Sequence, residues 1–167
     1  FVLLFLISGC APVLSAKVMD QASINVPLGE MRAAPEAYRG QLFAFGGTIA
    51  SVKQTVAGSL MELAYASVNS RGYLQNNLSG VRVLAFYPAE YGILDPVVFA
   101  KERKVTVAGT FDGLQEGKIE QMDYAFPFFQ IREIYLWPLE PQRVYYYDPY
   151  WPGYPPFYFG VGVHRWR

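Results

Sequence analysis

The fold of this chain is decided by the stretch Gln41-Leu42-Phe43-Ala44-Phe45-Gly46-Gly47-Thr48-Ile49. Its large apolar residues recur at every second position, which is the period of a β-strand that has one face in a core. Val52 falls outside this alternation. Because glycine tolerates strained backbone, we predict that the pair Gly46-Gly47 forms a β-bulge or a sharp coil that absorbs the change of phase.

Further strands with the same period follow as far as Trp137. They are predicted over 60–68, 81–86, 104–111, 118–124 and 128–137. Turn-forming residues separate them, with a hairpin turn at 57–59, a polar loop over 69–80 and a turn over 111–117. Gly109 lies on the apolar side of the fourth strand, where a barrel strand would need to bend.

One short helix is predicted between the third and fourth strands, over 94–99. Asp95 is a suitable N-cap, and Pro96 suits the first helical position. Three strands, a helix and then further strands is the order of an OB-fold, which is a small Greek-key barrel. We therefore predict an all-β domain, a small OB-like closed barrel of five to six strands with one short helix between strands 3 and 4. A six-stranded sandwich and an up-and-down barrel are the alternatives that this pattern leaves open.

The N-terminal residues have the pattern of an export signal. Residues 1–7 are all apolar, and this run is too short to cross a bilayer as a helix. The small residues Ser8 and Gly9 follow, and then Cys10, the only cysteine of the chain. The arrangement resembles a bacterial lipoprotein signal, so we expect cleavage between Gly9 and Cys10 and a lipid anchor on Cys10. The alternative is a buried thiol, although residues 1–7 lack the periodicity of a strand or an amphipathic helix.

These observations divide the chain into four parts. Residues 1–9 are the remnant of a cleaved signal, 10–34 a lipidated tether, 35–137 the barrel domain and 138–167 an irregular tail. The tail holds half of the twelve prolines, so neither a helix nor a central strand is expected there. It is either a disordered or domain-hugging segment or a contact with a membrane or partner, because Tyr and Trp suit the boundary between apolar and wet phases. The candidate contact residues are Tyr145, Tyr146, Tyr147, Tyr150, Trp151, Tyr154 and Phe157.

Composition limits the chemistry that this chain can perform. Lys+Arg and Asp+Glu are both 14, so the net charge gives no electrostatic case for a nucleic-acid partner. A single cysteine excludes an intramolecular disulfide framework and a cysteine-built zinc site. The only histidine, His164, lies in the irregular tail before Arg165 and Arg167 and is expected to be solvated. We predict no enzyme activity, no metal and no cofactor.

Carboxylates are the remaining candidates for a site. Asp112, Glu116, Glu120 and Asp123 form the nearest group, but they straddle a turn and a strand with Lys118 between them. Such a group is usually a solvated face, and a calcium site needs denser oxygen spacing.

Several segments, in this order and spacing, resemble one family. They are the signal ending at Cys10, Pro35-Glu36-Ala37-Tyr38-Arg39-Gly40, Phe45-Gly46-Gly47-Thr48-Ile49, Leu94-Asp95-Pro96, Arg103-Lys104-Val105-Thr106-Val107-Ala108-Gly109-Thr110, Gly117-Lys118-Ile119, Tyr124-Ala125-Phe126-Pro127 and Leu136-Trp137-Pro138. The chain thereby resembles the Slp family, the starvation-inducible outer-membrane lipoproteins of Gram-negative bacteria. The resemblance implies an envelope lipoprotein linked to starvation or stress, and it brings no catalytic residues. Ala11 after the cysteine implies sorting to the outer membrane, with the domain facing the periplasm.

Three functions follow from these expectations. We favour a non-catalytic envelope protein with a structural or interaction role, held by its N-terminal lipid and contacting an envelope protein partner. The alternative is a periplasmic module that binds a ligand or partner through an aromatic barrel face. A carboxylate-dependent hydrolase would need two acids converging in one pocket with perturbed pKa values, and the sequence offers no such pair.

Overall fold

Five strands form a closed barrel in the computed structural model, which describes residues 12–139, without the side chains at 76–78. The strands are β1 (Leu42–Thr55), β2 (Gly58–Val68), β3 (Leu74–Pro88), β4 (Lys104–Ile119) and β5 (Met122–Leu136). Their order around the barrel is β1-β2-β3-β5-β4, with β4 pairing back onto β1. All pairs are antiparallel except β3–β5. This connectivity confirms the OB-like barrel and excludes the sandwich and the up-and-down barrel.

The core of the barrel is aromatic and is centred on Phe129 of β5. The ring centroid of Phe129 lies 4.6 Å from that of Phe45, 5.4 Å from Phe111 and 6.3 Å from Phe43. All four rings are buried. Pairs of this kind each contribute about 0.5–1.5 kcal/mol beyond the area that they bury. The alternation that predicted Phe43 and Phe45 on one buried face is therefore confirmed.

The predicted bulge at the glycine pair is wrong in position. The register between β1 and β2 shifts between Ile49 and Ser51, so Ala50 is the extra residue that puts Val52 out of phase. The glycines serve close strand packing instead, because a Cβ on Gly47 would lie 2.7 Å from the Ala64 carbonyl oxygen.

Two other boundaries differ from the prediction. β3 begins at Leu74, inside the predicted loop, because it pairs with the end of β2 from Val68↔Leu74 onward, and this distant partner overrides the polar composition. The predicted turn over 111–117 is a continuation of β4, in which Asp112 is an unpaired bulge residue. The chain reverses at Glu120, whose φ is 56°, so the predicted fifth strand is a hairpin.

The connection between β3 and β4 contains the predicted short helix at a different place. It is a 3₁₀ helix over Ala89–Tyr91, whereas the predicted helix at 94–99 is only a turn over 96–99. Asp95 caps that turn as expected, since its carboxylate accepts a 2.8 Å hydrogen bond from the Val97 N–H. Leu94 is buried in the core, where its N–H donates to the hydroxyl of Ser59.

Residues 12–34 are folded against the barrel, contrary to the expectation of a tether. They contain α1 (Ala16–Gln21) and α2 (Leu28–Ala33), and a 3₁₀ helix over Pro35–Ala37 follows. From α2, Leu28 and Met31 join the core, and Met31 is fully buried. Between the helices, Ser23 bridges to β1 in parallel: its N–H donates to Leu42 and its carbonyl accepts from Ala44.

Candidate functional site

Most of the predicted site residues lie outside the described part of the chain. This holds for Gly9 and Cys10, for His164 and for the tail residues Tyr145, Tyr146, Tyr147, Tyr150, Trp151, Tyr154 and Phe157. The lipid anchor and the tail contact therefore stay predictions.

The carboxylates do not converge on a site. Asp112 lies 3.4 Å from the guanidinium of Arg39, which also binds Glu36 at 2.8 Å. Hydrogen bonding from Arg39, together with its charge, lowers the pKa of Glu36. Asp123 pairs with Lys118 at 3.8 Å, and both side chains are exposed. Across residues 12–139, no three His, Cys, Asp or Glu side chains are close enough to hold a metal ion.

The structure instead brings together an aromatic face made of Tyr73, Tyr135 and Trp137. The Trp137 ring lies 5.6 Å from Tyr73 and 5.1 Å from Tyr135 between centroids. Tyr73 is 41% and Tyr135 37% exposed, while Trp137 is half-buried between them. These rings come from the β2–β3 connection and from the end of β5, which are far apart in the sequence.

An asparagine-organised turn holds Tyr73 in place. The side-chain oxygen of Asn69 accepts hydrogen bonds from the N–H groups of Arg71 and Tyr73, at 2.9 and 3.0 Å. Two backbone hydrogen bonds close the same turn. The Asn69 N–H donates to the Tyr73 carbonyl, and the Gly72 N–H donates to the Asn69 carbonyl. Gly72 has a φ of +83°, a conformation that glycine adopts without strain. The backbone of Tyr73 is thus fixed by two hydrogen bonds to Asn69, one through its N–H and one through its carbonyl.

Thr106 joins this turn to the end of β5. It is fully buried, and its hydroxyl donates to the Gly72 carbonyl at 2.9 Å. The same oxygen accepts a 3.0 Å hydrogen bond from the indole Nε1 of Trp137. Arg103 adds a 2.7 Å hydrogen bond to the Trp137 carbonyl. Trp137 therefore has both its ring and its backbone held.

The N-terminal segment reaches the barrel at the aromatic face. The Val13 N–H donates to the Arg71 carbonyl at 2.9 Å, and a Cβ added to Gly72 would lie 3.2 Å from the Val13 side chain. Two residues later, the Ser15 N–H donates to the Glu133 carboxylate at 2.8 Å. Sequence reasoning missed this face, and the Asn69-to-Gly72 turn signal was the one local clue to it.

A second group of exposed apolar side chains lies at the other end of β2. This distal patch consists of Val56, Tyr91 and Ile93, which are 102%, 53% and 72% exposed. The β1–β2 hairpin and the β3–β4 connection are joined there by the hydrogen bond from Ala89 N–H to Ala57 O.

The β2–β3 surface, where OB-folds bind oligonucleotides, carries an ion pair between its two strands. The Arg82 guanidinium lies 3.1 Å from the Glu62 carboxylate, and both side chains are partly buried. The Arg82 N–H donates to the Tyr124 hydroxyl, which also receives a hydrogen bond from Arg32.

Among the helices of residues 12–139, none has the length and apolar character to cross a membrane. A family model described as the outer membrane lipoprotein Slp family matches residues 7–163. The chain is 31% identical over 159 residues to the uncharacterised lipoprotein YeaY of Escherichia coli K12, covering 94% of this chain and 78% of that protein. It is 29% identical over 138 residues to the outer membrane protein Slp of the same organism, covering 81% and 71%.

Two solved structures are also similar in part. One is a mitochondrial single-stranded DNA binding protein from S. cerevisiae, with 13% identity and a TM-score of 0.31 over 57% of this chain and 93% of that one. The other is a Plasmodium falciparum SSB in complex with ssDNA, with 11% identity and a TM-score of 0.33 over 58% and 94%. The OB assignment depends on the strand order of the barrel.

Proposed function

Because this chain belongs to the outer membrane lipoprotein Slp family, we propose that it is a non-catalytic envelope protein whose barrel has a structural or interaction role. The chain is an outer-membrane lipoprotein. The proposal places its lipid on Cys10, the only cysteine, after signal cleavage between Gly9 and Cys10. The barrel is then held at the periplasmic side and acts through contacts with envelope components.

The observation that supports this proposal most is the placement of Cys10 relative to the folded residues. Val13 is already hydrogen-bonded to the barrel, so the acylated cysteine would lie three residues before a fixed point. An acyl chain contributes about 0.8 kcal/mol per buried methylene, so several chains on one residue give stable attachment without any membrane-spanning helix.

Replacing the cysteine tests the anchor. Cys10→Ser should move the protein out of the outer-membrane fraction and abolish incorporation of labelled palmitate. Ser8→Ala is the matched control, because alanine keeps a small residue before the cleavage site and should leave fractionation and labelling unchanged. A Cys10→Ser protein that stays in the outer membrane would contradict the proposal.

A link to starvation or stress is part of the proposal, supported by the resemblance to the family. A deletion strain should lose viability faster than its parent during prolonged carbon starvation. Reintroduction of the wild-type gene should restore survival, and the Cys10→Ser gene should not. Equal survival of the deletion strain and its parent would remove this part of the proposal.

The second candidate is a partner-binding module, which the distal patch supports. Val56, Tyr91 and Ile93 expose apolar side chains on one end of the barrel, and exposed apolar groups of this kind can mark protein contacts. A photo-crosslinking residue at Ile93 in native envelopes should then yield one discrete adduct. The same residue at the exposed Gln115 of β4 serves as the control and should yield none. Identical patterns from both positions would dismiss this candidate.

A further inference from the structure

We propose that the aromatic face of Tyr73, Tyr135 and Trp137 lies against the lipid headgroups of the anchoring membrane. The end of the barrel that carries the β2–β3 connection then points at the bilayer. This inference rests on acylation of Cys10 as proposed above. It adds the orientation of the barrel and a lipid-contact surface on the folded domain itself.

The first argument is the reach of the chain between the lipid and the barrel. An extended chain spans at most about 3.5 Å per residue, so three residues from Cys10 to Val13 reach roughly 10 Å. Val13 cannot drift away from the barrel, because its N–H is bonded to Arg71, Leu14 is buried and Ser15 is bonded to Glu133. The surface around Val13 must therefore lie close to the membrane.

The second argument is the chemistry of that surface. Tyrosine and tryptophan rings combine an apolar body with a polar tip and are enriched at the headgroup level of membranes. Tyr73 and Tyr135 each expose more than a third of their surface, and Tyr73 directly follows Gly72, which contacts Val13. The Trp137 indole N–H is already satisfied by Thr106, so its ring can contact acyl chains without losing a hydrogen bond. Arg71, exposed in the same turn, is complementary to anionic headgroups.

The third argument is that the competing apolar surface is out of reach. Val56 of the distal patch precedes β2, whereas Tyr73 follows it, and β2 has 11 residues. A strand of that length spans roughly 35 Å. A tether of roughly 10 Å holds the Tyr73 end at the bilayer, and with that end facing the lipid Val56 lies a strand length away from it. With the lipid on Cys10, the aromatic face is therefore the surface that contacts lipid, and the distal patch faces the periplasm.

The experiment uses the full lipidated chain reconstituted into vesicles of phosphatidylethanolamine and phosphatidylglycerol, some with acyl chains brominated near the headgroup. Cys10 is occupied by lipid, so an engineered cysteine is the only thiol available for an environment-sensitive fluorophore. Labels at Tyr73→Cys and Tyr135→Cys measure the environment of the aromatic face. The same label at Val56→Cys, in the distal patch, is the matched control. We expect a blue shift and quenching by brominated lipid at 73 and 135, and neither at 56.

Tryptophan fluorescence provides a second measurement, in which the aromatic face keeps its natural residues. The double variant Trp151→Phe, Trp166→Phe leaves Trp137 as the sole tryptophan, and its fluorescence should be quenched by the same brominated lipid. Protein that floats with the vesicles but shows equal labels at 73 and 56 and an unquenched Trp137 overturns this inference alone. Protein that does not float overturns the anchor and this inference together. A blue shift of the labels in native outer membranes but not in pure lipid vesicles would show that the aromatic face contacts a protein partner and not lipid.

Discussion

Met31→Ala tests whether residues 12–34 belong to the folded domain. Met31 is fully buried in α2 and packs into the barrel core, so the substitution removes three buried heavy atoms. Truncation of a buried methionine to alanine costs about 2–5 kcal/mol, the spread reflecting how far the site can collapse. A domain of this size loses about 3 °C in Tm per kcal/mol, so we expect Tm to fall by roughly 6–15 °C.

The measurement is thermal and urea unfolding of the non-acylated chain that starts at residue 10 and carries Cys10→Ser. Met122→Ala is the matched control: the same side chain is 76% exposed at the β4–β5 hairpin, and its loss should cost less than about 0.5 kcal/mol. If both variants unfold together with the parent, α2 is not part of the core. The segment would then be a tether after all, and the short reach from Cys10 to the barrel would no longer hold.

Three further predictions follow from the barrel. Gly47→Ala should destabilise by about 1–3 kcal/mol in urea unfolding, since the new Cβ meets the Ala64 carbonyl at 2.7 Å, whereas Gly80→Ala, with open space, should be neutral. Thr106→Val should lower the free energy of unfolding by about 1–3 kcal/mol and change the fluorescence of Trp137, because the Gly72 carbonyl and the Trp137 indole N–H lose their buried hydrogen-bond partner. Unchanged stability would argue against that network. Burial raises the pKa of Tyr65 above 10.0, so its neutral form contributes stability that is present below pH 10 and lost as pH rises further. Tyr65→Phe should therefore make the free energy of unfolding less sensitive to pH above 10. Identical pH profiles of the variant and its parent would refute this.

Much of the barrel could be predicted from the sequence because its signals are local. The alternation through Phe43 and Phe45 depends on neighbours two positions away, and it places both rings in the core as observed. The start of β3 at Leu74 could not be predicted this way, since its polar residues are strand only through pairing with β2. The bulge at Ala50 was likewise hidden, because any residue can occupy such a bulge and glycine was the more conspicuous signal.

The aromatic face was beyond sequence reasoning for a related reason. Tyr73 lies in the β2–β3 connection and Trp137 follows β5, and Thr106 hydrogen-bonds to both of these segments. The same holds for Met31, since α2 has only six residues and too few turns for an apolar stripe to be recognised. The predicted export signal and the predicted tail contact rest on composition alone, which requires no folded partner, and both stay predictions.

The bridge at Ser23 has a consequence for the time before the protein reaches its membrane. Leu42 and Ala44 pair with β4 on one side, but the β2 register begins only at Gly46, so the other side of β1 would present free N–H and carbonyl groups. Unpaired strand edges of this kind recruit other chains and seed aggregates. Ser23 occupies these groups with its own backbone. A chain bound for the outer membrane thus covers this strand edge with a residue of its own N-terminal segment, which opposes self-association there.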